Sequence, residues 1–374
     1  MNKVAAINAT DKKIIARNPK MARKKIFVVL FAIVFGSALG AAGYVAYKQY
    51  FKKESFESNL FFAKKTPKPT TTANPLDGTQ AEQETANRHP LAVIIENHSQ
   101  ARPQIGLDKA SIVYEAISEG GITRFMAIYG PKDAEKVGPV RSMRTFFLDW
   151  AAEYNAFLAH VGGNIDALDR IPREGSLDLD QFALDDKAYW RELEAGKAIE
   201  HTMYTNTVKL YEIAKSKGWD MNGDFTAFNF LDPKKFIVSS LPQSITIDFS
   251  SYSYKVNYQF DPINNNYPRT LSDSPHKDRS TGNQLSPVNI IIQSVNRKEG
   301  LTRINENSWT METIGEGKAY VFYGGKKIDA TWKKANLKDR TKFYDSQGEE
   351  IEFLPGQFWY EIVPPDVFDK IKIE

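Results

Sequence analysis

The 22 residues from Ile26 to Tyr47 contain no charged side chain and lie between Arg23-Lys24-Lys25 and Lys48. As a helix, at 1.5 Å per residue, the run is about 33 Å long, enough to cross a hydrocarbon core of ~30 Å. Eight basic residues and only Asp11 precede it, and such an excess of Lys and Arg keeps that end in the cytoplasm. The pattern predicts a cytoplasmic basic tail (1–25), one transmembrane signal-anchor helix (26–47) and an exported remainder. Ala38-Leu39-Gly40 would suit a signal peptidase. The apolar run continues seven residues beyond it, however, longer than the roughly 7–15 residues usual in a cleaved peptide.

The chain has no cysteine, which excludes an amino-terminal lipid on cysteine, disulfides and thiolate metal sites. Without cross-links, an exported domain has to depend on its core; aromatic residues at 12 % provide for one. The formal charge is +3, but the first 53 residues alone carry a net +10, leaving −7 for the rest. The basic balance therefore belongs to the anchor. A mildly acidic exported portion argues against nucleic acid as a partner. The inner membrane is a partner only through the chain's own helix.

Residues 48–88 read as an extracytoplasmic linker, with low hydrophobicity and prolines at 67, 69 and 75. An α/β domain is expected over 89–236. Leu91-Ala92-Val93-Ile94-Ile95 is a continuous apolar run, as in a strand buried on both faces. Ile112 to Glu115 and Ile122 to Ile128 read as further strands. Gly138-Pro139 reads as a helix start, and Met143, Phe146, Phe147, Trp150, Ala151 and Tyr154 share one helical face. A helix over 207–217 stops at Gly218. From 244 to 374 the pattern changes to a β-rich, antiparallel domain. Tyr252, Tyr254, Val256, Tyr258 and Phe260 alternate with polar residues, and Gly324-Gly325 marks a hairpin turn.

Candidate chemistry gathers at the predicted strand ends of the first domain, where α/β sheets usually place ligands. Glu96, Asn97, Arg124, Arg141 and Arg144 are the candidate ligand-binding residues. Arg141 and Arg144 near a helix amino terminus form a cradle for a phosphate or carboxylate, or else pair with internal glutamates. Glu115, Glu119, His160 and His201 are candidates for acid–base work, since imidazole titrates near neutrality. Histidines at strand ends are also ordinary structural residues. No HxxxH or HExxH spacing occurs, so no metal is expected. No GxSxG, Walker A or GxGxxG sequence occurs either, and no cofactor is expected.

Several ordered motifs carry a family resemblance. Ala92-Val93-Ile94-Ile95-Glu96-Asn97, Glu119-Gly120-Gly121-Ile122-Thr123-Arg124, Gly138-Pro139-Val140-Arg141-Ser142-Met143-Arg144, His160-Val161-Gly162-Gly163, His201-Thr202-Met203-Tyr204-Thr205 and, later, Pro275-His276 and Leu354-Pro355-Gly356-Gln357 resemble the YerB lipoprotein family. The resemblance implies a bacterial cell-envelope protein built of two domains of unknown function. Here an anchor helix replaces the lipid-bearing cysteine, and Thr202 stands where an asparagine is expected. The leading expectation is a protein that recognises an anionic envelope ligand or a wall-associated protein. An envelope hydrolase or transferase using a Glu/His pair in the same cleft is one alternative. A non-catalytic scaffold in a wall or division complex is another.

Overall fold

The computed structural model describes residues 40–50 and 70–374. Residues 40–50 are helical. The rest of the predicted anchor, the basic tail and positions 51–69 of the predicted linker lie outside the described residues. Among the described residues, no helix is long and apolar enough to cross a membrane. The described residues from 70 onward form one compact unit.

That unit begins with a hairpin, β1 (Thr71–Ala73) and β2 (Gln80–Glu82), followed by β3 (Leu91–Glu96), β4 (Ile112–Ile117), β5 (Thr123–Tyr129) and β6 (Phe157–Ala159). A small pair, β7 (Tyr189–Arg191) and β8 (Met203–Thr205), follows. Next come β9 (Ser244–Asp248), β10 (Lys255–Gln259), β11 (Arg269–Leu271), β12 (Ser274–Pro275), β13 (Asn289–Ser294), β14 (Arg297–Leu301) and β15 (Asn307–Met311). The chain ends with β16 (Gly315–Tyr323), β17 (Lys326–Lys334), β18 (Lys342–Tyr344), β19 (Phe358–Val363) and β20 (Lys372–Ile373).

Nine of these strands form one sheet in the order β18-β17-β16-β13-β19-β4-β5-β3-β6, and β12-β11-β10-β9-β20 form a second. The period of two along each strand sorts the core into two layers. Leu91, Val93 and Ile95 face the five-stranded sheet and the helix Thr207–Ser216; Ala92 and Ile94 face the helices Thr145–Ala152 and Ile165–Arg173. Ile290 and Ile292 repeat the split against Ile291. Burial on both faces explains why the central strands read as unbroken apolar runs.

The expected boundary between 236 and 244 marks a change in composition, from a mixed α/β region to a β-rich one, but the large sheet runs through both regions. β19, near the carboxy terminus, lies between β13 and β4 and is parallel to both. The carboxy-terminal region is thus not purely antiparallel. Alternation and apolar content reveal a strand, not its neighbours, so the insertion left no mark in the sequence pattern.

Two further expectations change. The linker does not extend to 88: Leu76 is buried in the core, and the Asn74 side chain accepts from the backbone of Leu76 and Asp77. The segment after Gly138-Pro139 is not a helix. Val137 and Gly138 form β-bridges to Thr205 and Ile105, Val140 N donates to Met203 O at 2.7 Å and Arg141 N donates to Ile94 O at 2.9 Å. These bonds, made on both sides, hold 137–143 as an extended strap between β3 and β8, and the helix begins only at Thr145. Gly138 is required there: at φ 144°, a Cβ would meet Met203 O at 2.8 Å. Gly324 and Gly325, at φ 59° and 71°, make the expected β16–β17 turn.

Candidate functional site

The strand ends hold two polar clusters on opposite faces of the sheet. Glu96 and Arg124 are cross-strand partners on β3 and β5, and by the period of two they face the helical side, with Ile94 and Met126. Asn97, Glu115 and Thr123 alternate with them and face the five-stranded sheet. Sequence reasoning placed Glu96, Asn97 and Glu115 near one another in a single cleft. The pleat separates Glu96 from the other two.

The helical-side cluster is an open pocket of about 360 Å³, lined by Glu96, Glu119, Arg124, Arg141, Arg144 and His201, with His98, Gln100, Ile122 and Glu200 completing the rim. The elements that position these groups are short and tightly bonded. Glu96 ends β3, with its backbone N–H on Pro139 O and its carboxylate accepting from His98 N. Glu119 sits in the turn joining β4 to β5. Arg141 projects from the strap, and Arg144 is the N-cap residue of the helix Thr145–Ala152. Gly162 O takes Met143 N and Arg141 O takes Val161 N, so the segment after β6 holds the strap in place.

Two of the three arginines have internal partners. Arg144 grips Glu119 with a two-pronged contact, Nε on one carboxylate oxygen and Nη2 on the other at 2.8 Å. Burial pushes the Glu119 carboxyl up, but Arg144 and the Ser118 hydroxyl outweigh it and hold the group at about 2. Arg141 pairs with Glu96. Arg124 is different. It is only 5 % exposed, its Nη1 donates to Ser142 O at 2.9 Å, and its Nε has no partner. It has no ion pair among the described residues. Burial, with Arg144 repelling it, pulls its pKa down to about 9. A guanidinium stays protonated at neutral pH regardless, so the shift expresses a buried charge that Glu96 and Glu119 only partly offset.

His201 lies beside this group, its Nδ1 3.5 Å from Glu96 Oε2 and its ring stacked on His98 at 4.7 Å. Burial lowers its pKa against the opposing pull of Glu96. His160 does not line the pocket. It is buried beneath the strap, with Nδ1 on Gly162 O and Nε2 on Asp178 at 3.0 Å.

The other cluster is closed. Arg269 of β11 reaches from the second sheet to Glu115 and, at 3.7 Å, to Glu361 of β19; all three are fully buried. Asn97 donates to Glu115 Oε1 at 3.2 Å and Thr123 to the same oxygen at 2.6 Å. Arg269 also donates to His276 Nδ1, and His276 Nε2 donates to Gln104 Oε1 at 2.9 Å. That places the proton of a neutral ring on Nε2, and burial together with Arg269 keeps the ring neutral. Burial and the neighbouring Glu115 push the Glu361 carboxyl well above its usual range. Here Asn97 and Glu115 tie the two sheets together.

Thus the structure gathers Glu96, Glu119, Arg124, Arg141, Arg144 and His201, and it sends Asn97, Glu115 and His160 elsewhere. His98, Gln100, Ile122 and Glu200 are lining residues that sequence reasoning missed. His98 and Glu200 adjoin residues singled out, so the neighbourhood was visible although the side chains were not.

The family described as "Protein of unknown function (DUF3048)" matches this chain twice, its N-terminal domain over residues 76–220 and its C-terminal domain over 245–360. The chain belongs to the DUF3048 family. A relative in Bacillus subtilis (strain 168), described as "Putative lipoprotein YerB", is 30 % identical over 303 residues, spanning 78 % of this chain and 86 % of that protein. The crystal structure of YerB protein from Bacillus subtilis superposes with a TM-score of 0.72 at 28 % identity, covering 81 % of this chain and 99 % of the other. The YerB resemblance seen in the motifs therefore extends over both DUF3048 domains and the fold.

Proposed function

We propose that this DUF3048 protein is held at the membrane by its own helix and uses the Arg124 pocket to bind an anionic cell-envelope ligand bearing a phosphate or carboxylate. The observation that carries the reading is Arg124, a buried guanidinium at an open pocket with no ion pair of its own, since the nearby Glu96 and Glu119 are engaged by Arg141 and Arg144. Burying a charge without a partner of its own is costly, and an anion entering the pocket offsets what Glu96 and Glu119 leave uncompensated. The lipoprotein description of the Bacillus subtilis relative supports an extracytoplasmic position; the uncharged run 26–47 would supply the anchor that the missing cysteine cannot. A hydrolase or transferase is the second reading, and only the Glu96–His201 contact favours it.

The test is thermal unfolding of the full-length chain in detergent, with sulfate, phosphate or acetate added. A ligand at a hundred times its Kd adds about 2.7 kcal/mol of stability. Arg124→Gln should abolish that increment with little change in anion-free stability, because the burial cost it removes is set against the attraction to Glu96 and Glu119 that it also removes. An anion increment that survives in Arg124→Gln refutes the assignment.

A further inference from the structure

His201 occupies an unusual position in this pocket. Its Nδ1 points at Glu96 Oε2 from 3.5 Å without a hydrogen bond, and its Nε2 has no partner among the described residues. The charged and titratable groups around it are Glu96 from β3, His98 from the following turn, Arg141 from the strap and Glu200 next to it in the chain. Glu96 is already committed to Arg141. Arg141 is also the most accessible of the three arginines, with 28 % of its side chain exposed against 14 % for Arg144.

An anion in the pocket competes with Glu96 for Arg141. As Arg141 turns toward the anion, the buried Glu96 carboxylate loses its ion-pair partner and keeps only the longer-range attraction of Arg124, and the His201 ring, 3.5 Å away, is placed to take over the pairing. A proton taken from solvent onto Nδ1 pairs with Glu96 and leaves an Nε2–H donor free. Arg124, Arg141, Arg144 and His201 then face Glu96 and Glu119, a surplus of two positive charges in the pocket that is reduced only by Glu200, solvent-exposed at the rim.

We propose that His201 is the proton-dependent second grip of this pocket, charging as the ligand enters, and that the pocket thereby favours a doubly charged phosphate-type oxyanion over a singly charged carboxylate. This rests on the anion reading above. Such coupling is reciprocal: the anion raises the proton affinity of the ring, and protonation raises the affinity for the anion.

The experiment is isothermal calorimetry on the full-length chain in detergent, with sulfate as the probe because its charge does not change between pH 5 and 8. Sulfate affinity is expected to rise as pH falls across that range, by up to about tenfold per pH unit where the ring titrates. Titrations at one pH in two buffers of different ionisation heat should give an uptake approaching one proton per sulfate. This measurement needs no variant, so it stands even if a substitution fails to fold. His201→Asn should bind sulfate without the pH dependence, and acetate should bind more weakly than sulfate with a shallower pH profile. Sulfate binding without proton uptake, or a pH dependence that survives in His201→Asn, overturns the proposal. Absence of sulfate binding at every pH instead overturns the anion reading, and this proposal falls with it.

Discussion

Replacing Arg269 by methionine should be among the most damaging single substitutions in the molecule. The guanidinium is fully buried, pairs with Glu115 and Glu361, and donates to Tyr258 Oη at 3.1 Å and to His276. Methionine fills part of the volume but leaves the Glu115 carboxylate in the core without the guanidinium, with Asn97 and Thr123 still donating to it. Breaking a buried pair by removing one partner costs about 3–5 kcal/mol. At roughly 2 °C per kcal/mol for a chain of this size, the melting temperature should drop by ~6–10 °C. Glu115→Gln in the same background removes the stranded charge and should recover a large part of the loss. A double-mutant cycle by urea unfolding should then give a coupling of at least ~2 kcal/mol. A loss below ~1 kcal/mol for Arg269→Met, or strict additivity with Glu115→Gln, would refute the claim that this cluster locks the two sheets together.

The Arg144–Glu119 pair should show in the pH dependence of stability. The folded Glu119 carboxyl sits at about 2, below its ordinary 4.5, so its contribution is complete above the unfolded value and disappears as pH falls toward 2. Arg144→Gln should therefore cost about 1–2 kcal/mol near pH 7, discounted for partial exposure, and almost nothing near pH 2; a pH-independent difference counts against the pairing. A fragment of residues 81–236 lacks β19 and leaves the buried edge of β4 unpaired. It should give a broad, non-cooperative unfolding transition by circular dichroism, and a sharp two-state transition would show that the shared sheet is dispensable.

The sequence made most strands legible, because burial on one face or two leaves a direct mark on alternation. β3, β4 and β5 each lie within two residues of the runs that predict them, and β16 and β17 flank the expected Gly324-Gly325 turn. Tyr252 to Phe260 was read as one strand, but β10 starts at Lys255 and Tyr252–Tyr254 form a turn, with Tyr252 exposed. The strap 137–143 was misread because its conformation is set by hydrogen bonds to β3 and β8, which lie distant in sequence, and not by local propensity. The same limit applies to the site. Glu96, Glu119, Arg124, Arg141 and Arg144 were found because charge is conspicuous at strand ends. Asn97 and Glu115 were assigned to the same cleft although a pleated strand sends successive side chains to opposite faces. Glu115 could have been excluded by counting in twos from Val113. Its partner Arg269 could not have been named, since the contact spans 154 positions.

The central claim is that an anion completes the charge balance around Arg124. The most direct measurement is the anomalous difference map of a crystal soaked in selenate, whose selenium locates the ion without reference to the protein atoms. A peak within about 4 Å of the Arg124 guanidinium, at hydrogen-bond distance once its oxygens are placed, is the predicted result. An ordered crystal with selenate bound elsewhere, and none in the pocket bounded by Arg124, Arg141 and His201, would contradict it.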